Sequence, residues 1–168
     1  MGRAGKPSEL GRDEFVARFG HVFEHSPWIA EAAWHERPFR SLSELHGAME
    51  RAVNAATGER KMELILAHPD LAGKAAVAGE LTPESEREQA SAGLDQLSEA
   101  ELAEFTRLNE AYTSRFGFPF IMAIKGRSKA EILAAFEQRL GNDAQTELAT
   151  ALDQVERIAL LRLHDLLP

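Results

Sequence analysis

Three separated groups of polar side chains in this sequence could carry chemistry. The first is His68, which stands in a His68-Pro69 step. Proline disfavours the α region for the residue before it, so a helix over Glu59 to Ala67 should stop at His68. That places an imidazole at a helix C-terminus, where the dipole favours its protonated form, and a histidine titrating near 6.5 can act as a general acid around neutrality. A plain helix-ending histidine with Asp70 as the next cap fits the same residues.

The second group is Ser85, Glu88 and Gln89, spaced i, i+3 and i+4 and therefore on one face of a helix. Two starts compete for that helix. Ser85 with Glu88 spells a capping box, whereas Thr82 with Pro83 at the first helical position would leave Ser85 and Glu88 inside the helix without capping duty. Ala92 continues the face with a small residue.

The third is Arg162. With Leu152 at zero and about 100° per residue, Leu148, Val155, Ala159, Leu163 and Leu166 fall within about 60° of it and form an apolar face. Arg162 lies near −80° and is the one charged side chain in its sector, while Arg157 and His164 project to the polar side. Such an arginine snorkels or pairs with a structural carboxylate, or else its guanidinium faces an anionic ligand. A fourth pattern, His21 and His25 at i, i+4 with Glu24 between them, imitates half of a metal site without a complete ligand set. We expect no metal there. Trp28 and Trp34 read as core or interface.

The elements that must position these groups are helices. Leu10, Phe15, Phe19 and Val22 or Phe23 recur at near-helical intervals up to Pro27, and Trp28 to Trp34 reads as a short helix ended before Pro38. Capping boxes at Ser41 and Glu44, Ser98 and Glu101, and Ser128 and Glu131 open three more helices. Gly141 and Asn142 supply a C-cap and a new N-cap, and a last helix runs from about Asp143 to Leu166. Phe116 to Ile124 breaks the scheme: it is aromatic and apolar, interrupted by Gly117 and Pro119, and reads as extended. With no strand partner in sight, its N–H and C=O groups need side chains, water or a ligand.

Length and composition agree. A chain of 168 residues, with 27 Ala and 20 Leu against 5 Val, 6 Ile and 6 Thr, reads as one all-α domain over residues 8–168 preceded by a tail at 1–7. The absence of cysteine excludes disulfides, thiolate nucleophiles and cysteine-ligated clusters. A formal net charge of −8 without a basic run argues against nucleic acid. The longest uncharged apolar run is far short of the roughly 20 residues that span a bilayer. We expect a cytoplasmic protein with no membrane partner. No Gly-rich phosphate-binding pattern supports a nucleotide cofactor.

Taken together, the motifs resemble a known family. Phe23-Glu24-His25-Ser26-Pro27-Trp28, Ala67-His68-Pro69-Asp70-Leu71-Ala72-Gly73-Lys74, Leu81-Thr82-Pro83-Glu84-Ser85 with Glu88-Gln89, Leu108-Asn109-Glu110-Ala111-Tyr112, Arg115-Phe116-Gly117-Phe118-Pro119-Phe120 and Arg162-Leu163-His164 together resemble 2-oxo-4-hydroxy-4-carboxy-5-ureidoimidazoline (OHCU) decarboxylases, which produce S-allantoin in urate breakdown. The resemblance implies a cofactor-free, all-helical enzyme, commonly a homodimer, acting on a small planar ureidoimidazoline. It implies catalytic roles for His68, Glu88 and Arg162, and substrate contacts from Pro69, Ser85, Gln89 and the segment Phe120, Ile121, Met122, Ala123 and Ile124, the last five largely through main chain. The implied chemistry is loss of carbon dioxide, uptake of the electron pair by the conjugated ring C=N, and protonation of the resulting carbon on one face. Two other readings compete: a metal-assisted hydrolase of a related ureide built on His21, Glu24 and His25, and a non-enzymatic helical interaction module that docks a partner through the apolar segment.

Overall fold

The computed structural model describes residues 6–167, and every regular element among them is helical. A 3-10 turn at Pro7–Glu9 precedes α1 (Arg12–Phe19), α2 (Trp28–Trp34), α3 (Leu42–Asn54), α4 (Gly58–Leu66), α5 (Lys74–Val77), α6 (Pro83–Ser91), α7 (Glu99–Phe116), α8 (Lys129–Leu140) and α9 (Ala144–Leu166). Of the tail expected at 1–7, residues 1–5 lie outside the described residues. Pro7 already belongs to the 3-10 turn.

The chain clusters into two compact units: residues up to Ala67 with those from Glu156 onward, and His68–Val155. In the first unit α1 packs on α2 and α2 on α3. Phe15, Phe19, Ile29, Leu45, Met49, Leu64 and Ile65 form its interior, as their helical spacing requires. α1 is shorter than the spacing of Leu10 to Phe23 suggests. It ends on Gly20, and Val22 and Phe23 reach the core from a turn in which His25 takes a left-handed φ of 47°. α2 runs from Trp28 to Trp34 as expected. Trp34 serves as packing surface: its Nε1 donates to the Leu10 carbonyl at 3.0 Å and the Arg37 guanidinium lies over its ring.

The second unit is centred on aromatic rings. Tyr112 packs against Phe116, Phe118, Phe120 and Phe136, and Phe120 stacks on Phe136 with centroids 3.9 Å apart. Its helices start where the side chains say they should. Ser98 with Glu101 and Ser128 with Glu131 close reciprocal capping boxes. The cap of α9 differs from expectation, because the Thr146 N–H donates to Asp143 Oδ1 at 2.7 Å while Asn142 turns inward to Glu147. A carboxylate is the better acceptor for a helix N-terminus, which frees the amide of Asn142 for a buried partner.

Candidate active site

His68 is buried and lies just past α4, where Pro69 ends the helical path as the sequence requires. The chain then makes a tight turn. Ala72 adopts a left-handed φ of 53°, unusual for a residue with a Cβ. Gly73 follows it, and a Cβ there would come within 2.6 Å of Asp70 Cβ, so the turn closes only on glycine. Burial raises the Asp70 carboxyl above the ordinary aspartate range.

The turn is held from α6. Gln89 Oε1 accepts from the Ala72 N–H at 3.0 Å and Gln89 Nε2 donates to the Asp70 carbonyl at 3.2 Å. α6 starts at Pro83, with Thr82 as N-cap accepting from the Ser85 N–H at 3.3 Å. The competing start at Thr82 is thus the real one, and Ser85 and Glu88 sit inside the helix. Ser85 and Gln89 are buried and Glu88 is half-buried, an arrangement with no explanation in capping.

The segment expected to be extended begins two residues later than its apolar run, because Phe116 is the last residue of α7 and Gly117, at φ 78°, caps it. From Phe118 to Ile124 no regular structure forms, and the segment is almost wholly buried. Side chains satisfy part of its backbone. Arg139 Nη1 donates to the Ile121 carbonyl at 2.7 Å, and the Ala123 N–H donates to Gln154 Oε1 at 2.9 Å. Arg139 in turn stacks over Phe120 and donates through Nε to Glu147 Oε1 at 2.8 Å. A backbone bond engages a third residue, since the Ile124 carbonyl accepts from the Arg127 N–H at 2.9 Å. Among the described residues, no hydrogen-bond partner meets the main chain of Phe120 or Met122.

Arg162 lies in the first unit. Its Nη2 donates to Glu24 Oε1 at 2.9 Å and its Nη1 to the Val22 carbonyl at 3.3 Å, with both side chains buried. The structural-carboxylate reading of Arg162 therefore holds, with Glu24 as the carboxylate. Glu24 serves two partners: Oε1 accepts from Arg162, and Oε2 lies 3.9 Å from Nε2 of His25, whose side chain is 69% exposed. Among the described residues no group of three or more His, Asp or Glu side chains gathers as a metal ion would need.

Sequence reasoning missed the supporting residues Glu24, Gln154, Arg139 and Asn109. The signal for the last two was present: each is a polar residue on the buried face of its helix, Asn109 beside Phe105, Leu108 and Tyr112, and Arg139 beside Ile132 and Phe136. A polar group placed there is costly unless bonded.

Residues 8–164 match the family model described as OHCU decarboxylase. A 2-oxo-4-hydroxy-4-carboxy-5-ureidoimidazoline decarboxylase of Haloferax volcanii is 50% identical over 158 residues, covering 94% of this chain and 92% of that one. Among solved structures, an (S)-allantoin synthase superposes with a TM-score of 0.77 at 32% identity, over 95% of this chain and 52% of that one. An OHCU decarboxylase determined in the presence of (S)-allantoin superposes with a TM-score of 0.70 at 27% identity, over 93% of this chain and 98% of that one.

Proposed function

Because this chain belongs to the OHCU decarboxylase family, and so converts OHCU to allantoin and carbon dioxide in urate breakdown, we propose that His68 is the acid that completes the reaction. The bond between C4 and the carboxyl carbon breaks, carbon dioxide leaves, and the electron pair enters the conjugated ring C=N. This leaves a C4=C5 enol; as the C4 hydroxyl gives up its proton and becomes the carbonyl, His68 delivers a proton to one face of the ureido-bearing C5, which sets the S configuration. The substrate ring is its own electron sink, so the chain's task is positioning and proton delivery without a cofactor.

Glu88 orients the imidazole or holds the substrate hydroxyl. Pro69, Ser85 and the strip Phe120, Ile121, Met122, Ala123 and Ile124 bind the ureidoimidazoline, the strip through the main-chain groups that Arg139 and Gln154 leave open. Gln89 spends one N–H and its oxygen on the turn and offers its second N–H to the ligand. To Arg162 the same reading gives an anionic or carbonyl group of the substrate. Residues 8–168 work as one functional domain in a cytoplasmic homodimer, with no nucleic acid, membrane or metal involved.

The observation that carries this reading is a buried histidine followed by a turn whose own polar groups are held by a helix side chain. In His68→Gln, turnover should fall by about two orders of magnitude with an unchanged melting curve. Near-normal turnover on freshly generated OHCU would remove His68 from the mechanism.

A further inference from the structure

From the Asp70 carbonyl to the N–H of the left-handed Ala72 the main chain presents four polar groups, and two side-chain amides hold three of them. Gln89, from α6, takes the Asp70 carbonyl and the Ala72 N–H. Asn109, from α7, takes one between them: its Nδ2 donates to the Leu71 carbonyl at 2.9 Å. A carbonyl can only accept, so the nitrogen of Asn109 must face it. Asn109 is buried in the middle of an 18-residue helix, on the same face as Phe105, Leu108 and Tyr112. Helix propensity and core packing would both favour an apolar residue there. Its Oδ1 is buried without a hydrogen-bond partner, so the side chain is held by its donor end alone. A buried amide kept in a helix for one bond to one loop carbonyl has that loop as its purpose.

We infer that Asn109 is a positioning residue for the decarboxylation: through the Leu71 carbonyl it fixes, opposite Gln89, the turn that follows His68, and with it the direction of the imidazole. The inference rests on the reading of His68 as the proton donor. Because it acts through the Leu71 carbonyl, its loss should act on kcat rather than KM. Misplacing a reacting group by about 1 Å can cost on the order of 100-fold.

The test is a cycle of Asn109→Leu, His68→Gln and the double variant, read by the circular dichroism of S-allantoin formed from fresh OHCU, with a thermal melt of each. Asn109→Leu should melt cooperatively and lose about 10- to 100-fold in kcat with KM little changed. In the His68→Gln background it should cost almost nothing further, because a residue that acts through His68 has nothing left to position. If Asn109→Leu does not fold, Asn109→Ser, too short to reach Leu71, replaces it with the same expectations. Undiminished kcat, a change in KM alone, or an equal loss in both backgrounds would overturn the inference while leaving His68 in place. Near-normal turnover of His68→Gln itself would overturn the reading on which it rests.

Discussion

Arg162 and Glu24 form a buried ion pair, Nη2 to Oε1 at 2.9 Å, with 5% and 2% of their side chains exposed, although they stand 138 positions apart in the sequence. The pair joins the motif after α1 to the last helix. It also means that the guanidinium charge is balanced within the fold itself.

Removing only one member should therefore be severe. Glu24→Leu leaves the guanidinium buried and unpaired and should cost about 3–5 kcal/mol, which in a domain of this size lowers the melting temperature by roughly 10 °C. Adding Arg162→Met should restore much of that loss while activity stays low. Calorimetry and turnover on the three proteins check both halves. A Glu24→Leu protein as stable as the parent would show that the pair contributes nothing.

Asp70 makes the stability of the fold depend on pH with a definite sign. Burial raises its folded carboxyl value above that of the unfolded chain, so the folded state favours the protonated form. Stability from this group is present below the unfolded value, near 3.9, and is lost as pH rises through the raised folded value. Asp70→Asn should thus be more stable than the parent at pH 7, with the difference vanishing at about pH 3. Melting curves at the two pH values decide it. A difference that is constant, or reversed, would contradict the assignment.

Glu147 is wholly buried and takes hydrogen bonds from the Tyr112 hydroxyl at 2.5 Å, Arg139 Nε at 2.8 Å and Asn142 Nδ2 at 3.0 Å. Burial, with the adjacent carboxylate, raises the tyrosine well above its ordinary value, so it remains a donor at any pH the protein meets. Tyr112→Phe removes one charge-assisted bond, about 1.5–3 kcal/mol. The melting temperature should fall by several degrees, and KM should rise because Arg139 also holds the Ile121 carbonyl of the strip proposed to bind the substrate. An unchanged KM would separate this network from the strip.

What could be read in advance follows from range. Helices with local signals, such as Trp28–Trp34 before Pro38 and the reciprocal boxes at Ser98 and Ser128, were legible because propensity, caps and apolar spacing act within a few residues. The ambiguous start at Thr82 or Ser85 was two local signals of equal form, and Pro83 decided it. At α9 both Asn142 and Asp143 could cap, and the burial of Glu147, which only the tertiary packing fixes, determined that Asn142 faces inward. The motif residues His68, Ser85, Glu88, Gln89 and Arg162 were visible as types and spacings. Their supports were not, because Glu24 with Arg162, Gln154 with Ala123 and Asn109 with Leu71 are pairings between distant positions, and periodicity carries no partner information.

The central claim is stereospecific catalysis by this chain, and the spontaneous decay of OHCU yields racemic allantoin, which gives no circular dichroism. The direct measurement is therefore the dichroic signal of product formed from urate by the upstream enzymes, with this protein and without it. The account predicts rapid appearance of the S-allantoin signal only when the protein is present. An identical, optically inactive time course in both samples would contradict it.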